Sequence, residues 1–594
     1  MLMKALRGSG FLAAVVVLCS SAVARAAYLE GILCEEPMPW PGRLARCIVG
    51  PATGGAWAAP AVGDVTGDAI TDLVVGSAYG DVMLYEGRSD GVFGPPRLLL
   101  VGDLPEAVPA LEPAVPCLIG STRDLLVLRG GRLVRYRRTA DGFAPGREIT
   151  GRDRRPLAEL LARAGGSAPT GLAALDGDEL IVADGAGRLW RGTLEGPERV
   201  GELSPFRDIH GGHLAFPPPV SLAVGDLSGD GRKDLIIGAA GTLYLCTLSG
   251  GQASAPEELA REIRNEEGVV AERLAPAVER PGMLLVGTRW GFLLRCRVEK
   301  HRLAAVETIQ AREVPLDCGL CAAPTALDWE RDGRLDLVVA GADGLLRLFV
   351  RRPDGFFERP DILSDDAGPI RLPKVEGYAV GFPAFADLNG DGRQELLVGC
   401  ADGRILLFRN EGRLVAADAL GVGGEEVLCD GIPVPEAVDW DADGDTDLIV
   451  GVQPRPKSDG GEVSEGALSP IRFLENQGAR GAWCKYEKVV PIDMAARWEG
   501  VDGDGSYISP WQFRLHGRPG RDVLALVLAS TGVYVFGLTT LAPAYPRVVA
   551  EADAGLLRPW RVRGPVWSLC FFGDEIAVGL GPYGFVSMAK MPGR

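Results

Sequence analysis

One pattern recurs ten times along the 594 residues: an apolar run, a tight loop, a second apolar run, Gly, and a third apolar run. Five copies carry acids in the loop: AVGDVTGDAITDLVVGSAYGDVMLY, LAVGDLSGDGRKDLIIGAAGTLYL, TALDWERDGRLDLVVAGADGLLRLF, AFADLNGDGRQELLVGCADGRILLF and AVDWDADGDTDLIVGV. Five others keep the apolar runs and lose the acids: RDLLVLRGGRLVRY, DELIVADGAGRLWR, GMLLVGTRWGFLLRC, RDVLALVLASTGVYVF and DEIAVGLGPYGFVSM. Anchored on the residue before each central apolar pair, the copies fall at Asp72, Asp124, Glu179, Asp234, Met283, Asp336, Glu395, Asp447, Asp522 and Glu575. Successive anchors lie 49 to 59 residues apart, except for a gap of 75 after Asp447 that marks an insertion. Self-similarity at such a period is the mark of a repeat architecture.

Each copy has three short runs rich in Val, Ile, Leu and Phe and a looser fourth such as RLVAADAL. That composition predicts four-stranded antiparallel units. Arranged radially, such sheets cover one another's faces and form an all-β β-propeller, here with about ten blades. The usual range is roughly four to eight blades. One ring is the expectation, with some units outside it as the alternative. The last copy supplies SLCFF, EIAVGL and GFVSMA but no fourth run, and Tyr28 to Gly50, which contain ARCIV, are available to fill that place. The ring is then expected to close by pairing its N- and C-terminal strands, which leaves no open sheet edge there. Two short helices are predicted as surface excursions, Pro156 to Ala164 ended by Gly165 and Pro256 to Glu267 ended by Gly268.

The acidic loops follow DxDxDGxxD or a near variant. Alternate oxygen-bearing side chains in a tight loop converge on one point, Gly at position six allows the sharp turn, and position seven offers its carbonyl. Such hard oxygen sets suit calcium. The fullest copy has Asp439, Asp441, Asp443, Asp445 and Asp447, with Gly444 at the turn. Next come Asp387, Asn389, Asp391, Arg393 and Glu395, then Asp328, Glu330, Asp332, Arg334 and Asp336. Asp226, Ser228, Asp230, Arg232 and Asp234 form a fourth, where Arg232, like Arg334, Arg393 and Asp445, stands at position seven. The fifth has Asp64, Thr66, Asp68 and Asp72, and carries Ala69 where Gly is expected, so it should be the weakest. An EF-hand would need Glu at position twelve, where this chain has Val75, Ile237, Val339, Val398 and Val450. The competing reading is an acidic turn without an ion. Clustered carboxylates in a tight turn would then repel one another, at a cost that grows with burial.

These units resemble the FG-GAP or VCBS repeats of integrin-type β-propellers, strongly in five copies and loosely in five. The resemblance implies an ion loop between the first and second strands of a blade, serving stability. It also implies an extracellular protein, in a family that includes adhesion proteins, lectin-like binders and some polysaccharide lyases. A scaffold does not fix a function.

The N-terminal segment agrees with export. Lys4 and Arg7 precede the apolar run Phe11 to Leu18, and Ala24 and Ala26 flank Arg25 in an AxA pattern, so residues 1–26 read as a signal peptide and 27–594 as the propeller. Leu18 before Cys19 argues against a lipoprotein site. Without the leader the chain has 59 basic and 79 acidic residues, a net charge of −20. Such a surface repels nucleic acid and anionic lipid and attracts divalent cations. No later apolar run is long enough to span a bilayer. Eleven cysteines follow the leader, an odd number, and the Cys318–Cys321 CxxC reads as a local disulfide or two buried thiols rather than a zinc site.

Enzyme signatures are sparse. The chain has four histidines, His210, His213, His301 and His516. A lyase abstracting a proton beside a uronate carboxylate needs a His or Tyr base and an Arg, and His210, His213 and Arg207 in DIHGGHLAFPPP and its flank are the candidates. The bland reading is a loop whose histidines bond to neighbouring backbone. Trp57, Trp290, Trp329, Trp440 and Trp511 are candidates for stacking on sugars or for core packing. The sequence therefore predicts a secreted or periplasmic calcium-stabilised propeller that binds an extracellular glycan or protein. The alternatives are a polysaccharide lyase and a component of a larger surface complex.

Overall fold

The computed structural model describes residues 43–594 except 54–56, 78–79, 81, 100–113, 120–123, 140–141, 176, 376–377, 423–424, 440–443, 454–470, 477–485, 493–509, 517–522, 530–531, 539–565, 574, 581–585 and 591–594. The expected signal peptide lies outside them. Every repeat forms an antiparallel sheet in chain order. The second strand of each is the most apolar: Asp72–Gly76, Asp234–Ala239, Asp336–Ala340, Glu395–Cys400 and Asp447–Gln453 are buried along their whole length. A strand covered on both faces needs a continuous apolar run, which is why these segments do not alternate.

The sheets fall into two compact units, residues 46–317 and residues 1–45 with 318–594. In the first unit, blades 1 to 5 begin with Ala59–Gly63, Val115–Ile119, Pro169–Ala174, Val220–Gly225 and Ala275–Arg280. Each first strand packs on that of the next blade, and the fifth packs back on the first. There the Trp57 and Ala58 amides donate to the Arg289 and Thr288 carbonyls. In the second unit, blades 6 to 10 begin with Ala323–Leu327, Gly381–Ala386, Ile432–Val438, Pro510–His516 and Val566–Phe572, and the tenth again packs on the sixth.

One contact recurs at these joints. A Cβ built on Gly76, Gly238 or Gly399 would stand 2.1, 1.9 or 1.8 Å from the carbonyl of Ala114, Leu274 or Pro433 in the next blade. The same contact joins Gly287 to Ala58 at 2.0 Å and Gly579 to Ala322 at 1.8 Å, which are the returns from blade 5 to blade 1 and from blade 10 to blade 6. Only Gly lets the backbones approach this closely. The expectation of a single ten-bladed ring is thus corrected to two cyclic sets of five, within the usual blade range.

The terminal pairing holds in part. Arg43–Leu44 pairs with Val586–Lys590 and supplies the fourth strand of blade 10, as expected. The ARCIV run does something else: Arg46–Pro51 pairs with Gln310–Pro315 inside the first unit. The helix expected at Pro156 forms as α1 (Leu157–Ala164), with Gly165 in the left-handed region at its end and Leu157 and Leu161 buried. The one expected at Pro256 does not. Glu257–Arg261 is instead a strand on the edge of Thr242–Ser249, where sheet pairing and burial of Leu259 override a helical spacing. Among the described residues no helix is long and apolar enough to cross a membrane. No disulfide joins the nine described cysteines; of the CxxC pair, Cys318 is buried and Cys321 half-buried. Burial pushes the thiols of Cys117, Cys246, Cys296 and Cys321 up to about 12.

Candidate cation loops and the histidine turn

The five acidic loops are the connections between first and second strands in blades 1, 4, 6, 7 and 8. Each has eight residues: 64–71, 226–233, 328–335, 387–394 and 439–446. Their internal bonding repeats. The position-one carboxylate accepts amides from the far side of its own loop: Gly67 and Ala69 donate to Asp64 at 2.5 and 3.0 Å, and Gly229 and Gly231 to Asp226 at 2.7 and 3.0 Å. Asp332 and Gly333 donate to Asp328 at 3.0 and 2.9 Å, and Asp391 and Gly392 to Asp387 at 3.1 and 2.9 Å. Position five turns inward on the position-seven amide, from Ile70 to Asp68, Arg232 to Asp230, Arg334 to Asp332 and Arg393 to Asp391.

Position nine is buried at the start of the second strand and fastens the loop to the sheet. Asp72 accepts the Val65 and Thr66 amides on Oδ2, both at 2.7 Å, and Gly87 on Oδ1 at 2.8 Å. Asp336 takes Trp329 on Oδ2 and Arg351 on Oδ1, at 2.9 and 2.8 Å. Asp234 and Glu395 accept loop amides through one oxygen each. Their other oxygens, Asp234 Oδ1 and Glu395 Oε1, are buried and have no hydrogen-bond partner, as are Asp439 Oδ1 and Thr66 Oγ1. Burial raises the Glu395 carboxyl above the usual range, and the charges of Asp391 and Asp387 add to the rise.

Buried oxygens without donors, in loops that offer hard oxygen ligands, fit a divalent cation such as Ca²⁺. Among the described residues, no three acids, histidines or cysteines converge as a ready-made metal cluster. Asn389, Ser228 and Glu330 occupy position three of their loops; Asp441 and Asp443 lie outside the described residues.

The sixth position shows why the first loop differs. Gly231, Gly333, Gly392 and Gly444 have φ of 82°, 84°, 83° and 96°, and Ala69 is held at 68° in the same place. A Cβ at those glycines would meet nothing, so the penalty at Ala69 is backbone strain alone. Ala69→Gly is expected to stabilise the first unit by about 1 kcal/mol, read as a higher urea midpoint.

The histidine turn is held by bonds to backbone and to Asp208. Arg207 and His213 are cross-strand partners. The Arg207 guanidinium donates to the Gly211 carbonyl at 2.6 Å, and His213 Nε2 donates to the Leu189 carbonyl at 2.7 Å. The His213 ring meets Trp190 edge-on at 5.1 Å between centroids. His210 is exposed, and its amide donates to Asp208. Among the tryptophans, Trp57 and Trp290 are core, whereas Trp329 is 37% exposed and meets Phe385 edge-on. Trp440 and the Trp511 side chain lie outside the described residues.

Two features carry no metal-loop signature in the sequence. In blade 3, Asp184 accepts the Ser167, Ala186 and Arg188 amides, the Arg188 guanidinium and the Trp190 indole. In blade 6, Asp343 binds the fully buried Arg347. Trp190 and Arg347 occupy the same position on the third strand, opposite Val182 and Val339.

The FG-GAP-like repeat family matches residues 328–398 and 387–450, which span the loops of blades 6, 7 and 8. Integrin alpha-IIb of Mus musculus is 27% identical over 222 residues, which is 35% of this chain and 17% of the integrin. The chain thus spans under a fifth of that relative's length. Among solved structures, the computationally designed Ika8 protein aligns over 71% of this chain and 96% of its own, at 15% identity and a TM-score of 0.20, too low to carry an argument.

Proposed function

We propose that this FG-GAP repeat protein is an extracellular binding scaffold whose blades are fixed by calcium and whose ligand, a protein or a glycan, is held by inter-strand loops. The observation that carries the reading is the recurrence of one eight-residue oxygen-lined loop in five blades, with buried donorless oxygens at Asp234, Glu395 and Asp439. The partial likeness to integrin alpha-IIb supports adhesion to a protein ligand. Exposed Trp329 is the described aromatic best placed to add a sugar contact. The residues that would hold the ion are those at positions one, three, five and nine, with the position-seven carbonyl. The ion would supply the charge that lets these carboxylates share a turn.

Calorimetric titration of chelator-dialysed full-length protein with CaCl₂ tests the metal. Binding is expected, and a loop saturated at about a hundred times its Kd should stabilise its unit by about 2.7 kcal/mol. Asp230→Asn and Asp391→Asn should each remove one site. No heat of binding and an unchanged melting point would refute the reading. A protein and glycan array probed with and without chelator then separates scaffolding ions from ions that contact ligand.

A further inference from the structure

Three of the five blades that lack the acidic loop, all in the first unit, share a feature of their own. Where the loop is present, the third residue of the second strand faces an apolar residue on the third strand: Val74 opposite Leu84, Ile236 opposite Leu245, Val338 opposite Leu348, Leu397 opposite Leu407 and Ile449 opposite Phe473. In blades 2, 3 and 5, Arg stands at that register position: Leu126 faces Arg135, Ile181 faces Arg191 and Leu285 faces Arg295. In these blades the first and second strands are separated by four, four and two residues, as the bounds Ile119 to Asp124, Ala174 to Glu179 and Arg280 to Met283 show.

All three guanidinium groups reach a carboxylate at that short hairpin. Arg135 Nε and Nη2 donate to Asp124 Oδ2 at 2.9 and 2.8 Å. Arg191 Nη2 donates to both Glu179 oxygens at 2.7 and 2.6 Å, and Arg295 Nε and Nη2 to Glu279 at 3.1 and 3.0 Å. In blade 2 the substitution can be followed oxygen by oxygen. Asp124 Oδ1 accepts the Arg138 amide, as Asp72 Oδ1 accepts Gly87. Asp124 Oδ2, whose counterpart in Asp72 takes two loop amides, takes the guanidinium instead.

We infer that the first unit fixes its hairpins in two interchangeable ways, by a cation-filled loop in blades 1 and 4 and by an arginine clamp in blades 2, 3 and 5. This rests on the calcium reading above. A planar guanidinium brings one fixed positive charge and paired donors to a carboxylate, so it meets the same electrostatic demand without a bound ion. The unit's response to calcium is therefore local: withdrawing the ion loosens blades 1 and 4 and leaves the arginine-clamped blades closed.

Hydrogen-exchange mass spectrometry on the full chain, with calcium and with EDTA, reads this blade by blade. Chelation is expected to speed exchange tenfold or more in peptides covering 64–76 and 226–239, and less than twofold in those covering 124–136, 179–193 and 283–299. Arg135→Leu, Arg191→Leu and Arg295→Leu should each speed exchange several-fold in their own blade, equally with and without calcium. A chelator effect spread evenly over the five blades, or arginine variants that leave their own blades unchanged, overturns the inference. If chelation changes nothing although calorimetry shows calcium bound, the inference fails alone; if no calcium binds, both readings fail.

Discussion

Asp72→Ala is expected to destabilise the first unit by about 4 kcal/mol. The fully buried carboxylate accepts three backbone amides, two from its loop and one from Gly87, two residues past the third strand Val82–Tyr85. Hydrogen bonds to a charged acceptor contribute roughly 1.5–3 kcal/mol each, and leaving the donors buried adds a desolvation cost. The loss is below the sum because part of the loop can turn its amides to water. Asp72→Asn keeps one acceptor oxygen and should cost about half as much. Urea unfolding followed by the exchange of first-unit amides measures both. Losses under 1 kcal/mol for both variants would show that the carboxylate is not the fastener. Run with EDTA, the same pair separates this backbone role from any cation the loop holds, since the amide bonds do not depend on the ion.

That dual role explains what the sequence could and could not say about the site. The DxDxDGxxD spacing located all five loops because the geometry of a tight turn is local, and the missing glycine at Ala69 marked a real strain. The persistence of an acid at Asp124 and Glu179 in copies without a loop was visible as well. Its reason was not, because the partner arginines are on another strand and gain meaning only from the register. Ring number was hidden for a related reason. A blade's sequence specifies its own sheet, while closure depends on which blade its edge meets. The closing contacts Gly287 to Ala58 and Gly579 to Ala322 use the same chemistry as the internal contact Gly76 to Ala114. Nothing in the repeat distinguishes a return from a continuation. The pairing of Arg46–Pro51 with Gln310–Pro315 likewise joins segments that only the closed unit brings together.

The second large effect belongs to Arg347, 1% exposed, in a third strand that is otherwise apolar. Its Nη1 and Nη2 donate to Asp343 Oδ1 and Oδ2 at 3.1 and 2.5 Å, and Asp343 Oδ1 also takes the Leu345 amide. Removing either partner leaves a charge in the interior without its counter-ion, so Asp343→Leu and Arg347→Met are each expected to cost about 3–5 kcal/mol. Replacing both should cost far less, because desolvation of the pair offsets much of its attraction and an apolar pair of similar volume avoids it. The double-mutant cycle, read from thermal or urea unfolding of the second unit, is expected to show a coupling of about 3 kcal/mol. Additive losses would mean that the two charges are stabilised by separate neighbours. A double variant close to wild type would instead show that blade 6 tolerates an uncharged residue at this position as blades 1, 2, 4, 5 and 7 do, with Met83, Val134, Tyr244, Leu294 and Leu406 at the matching register, whereas blade 8 also carries an arginine there, Arg472.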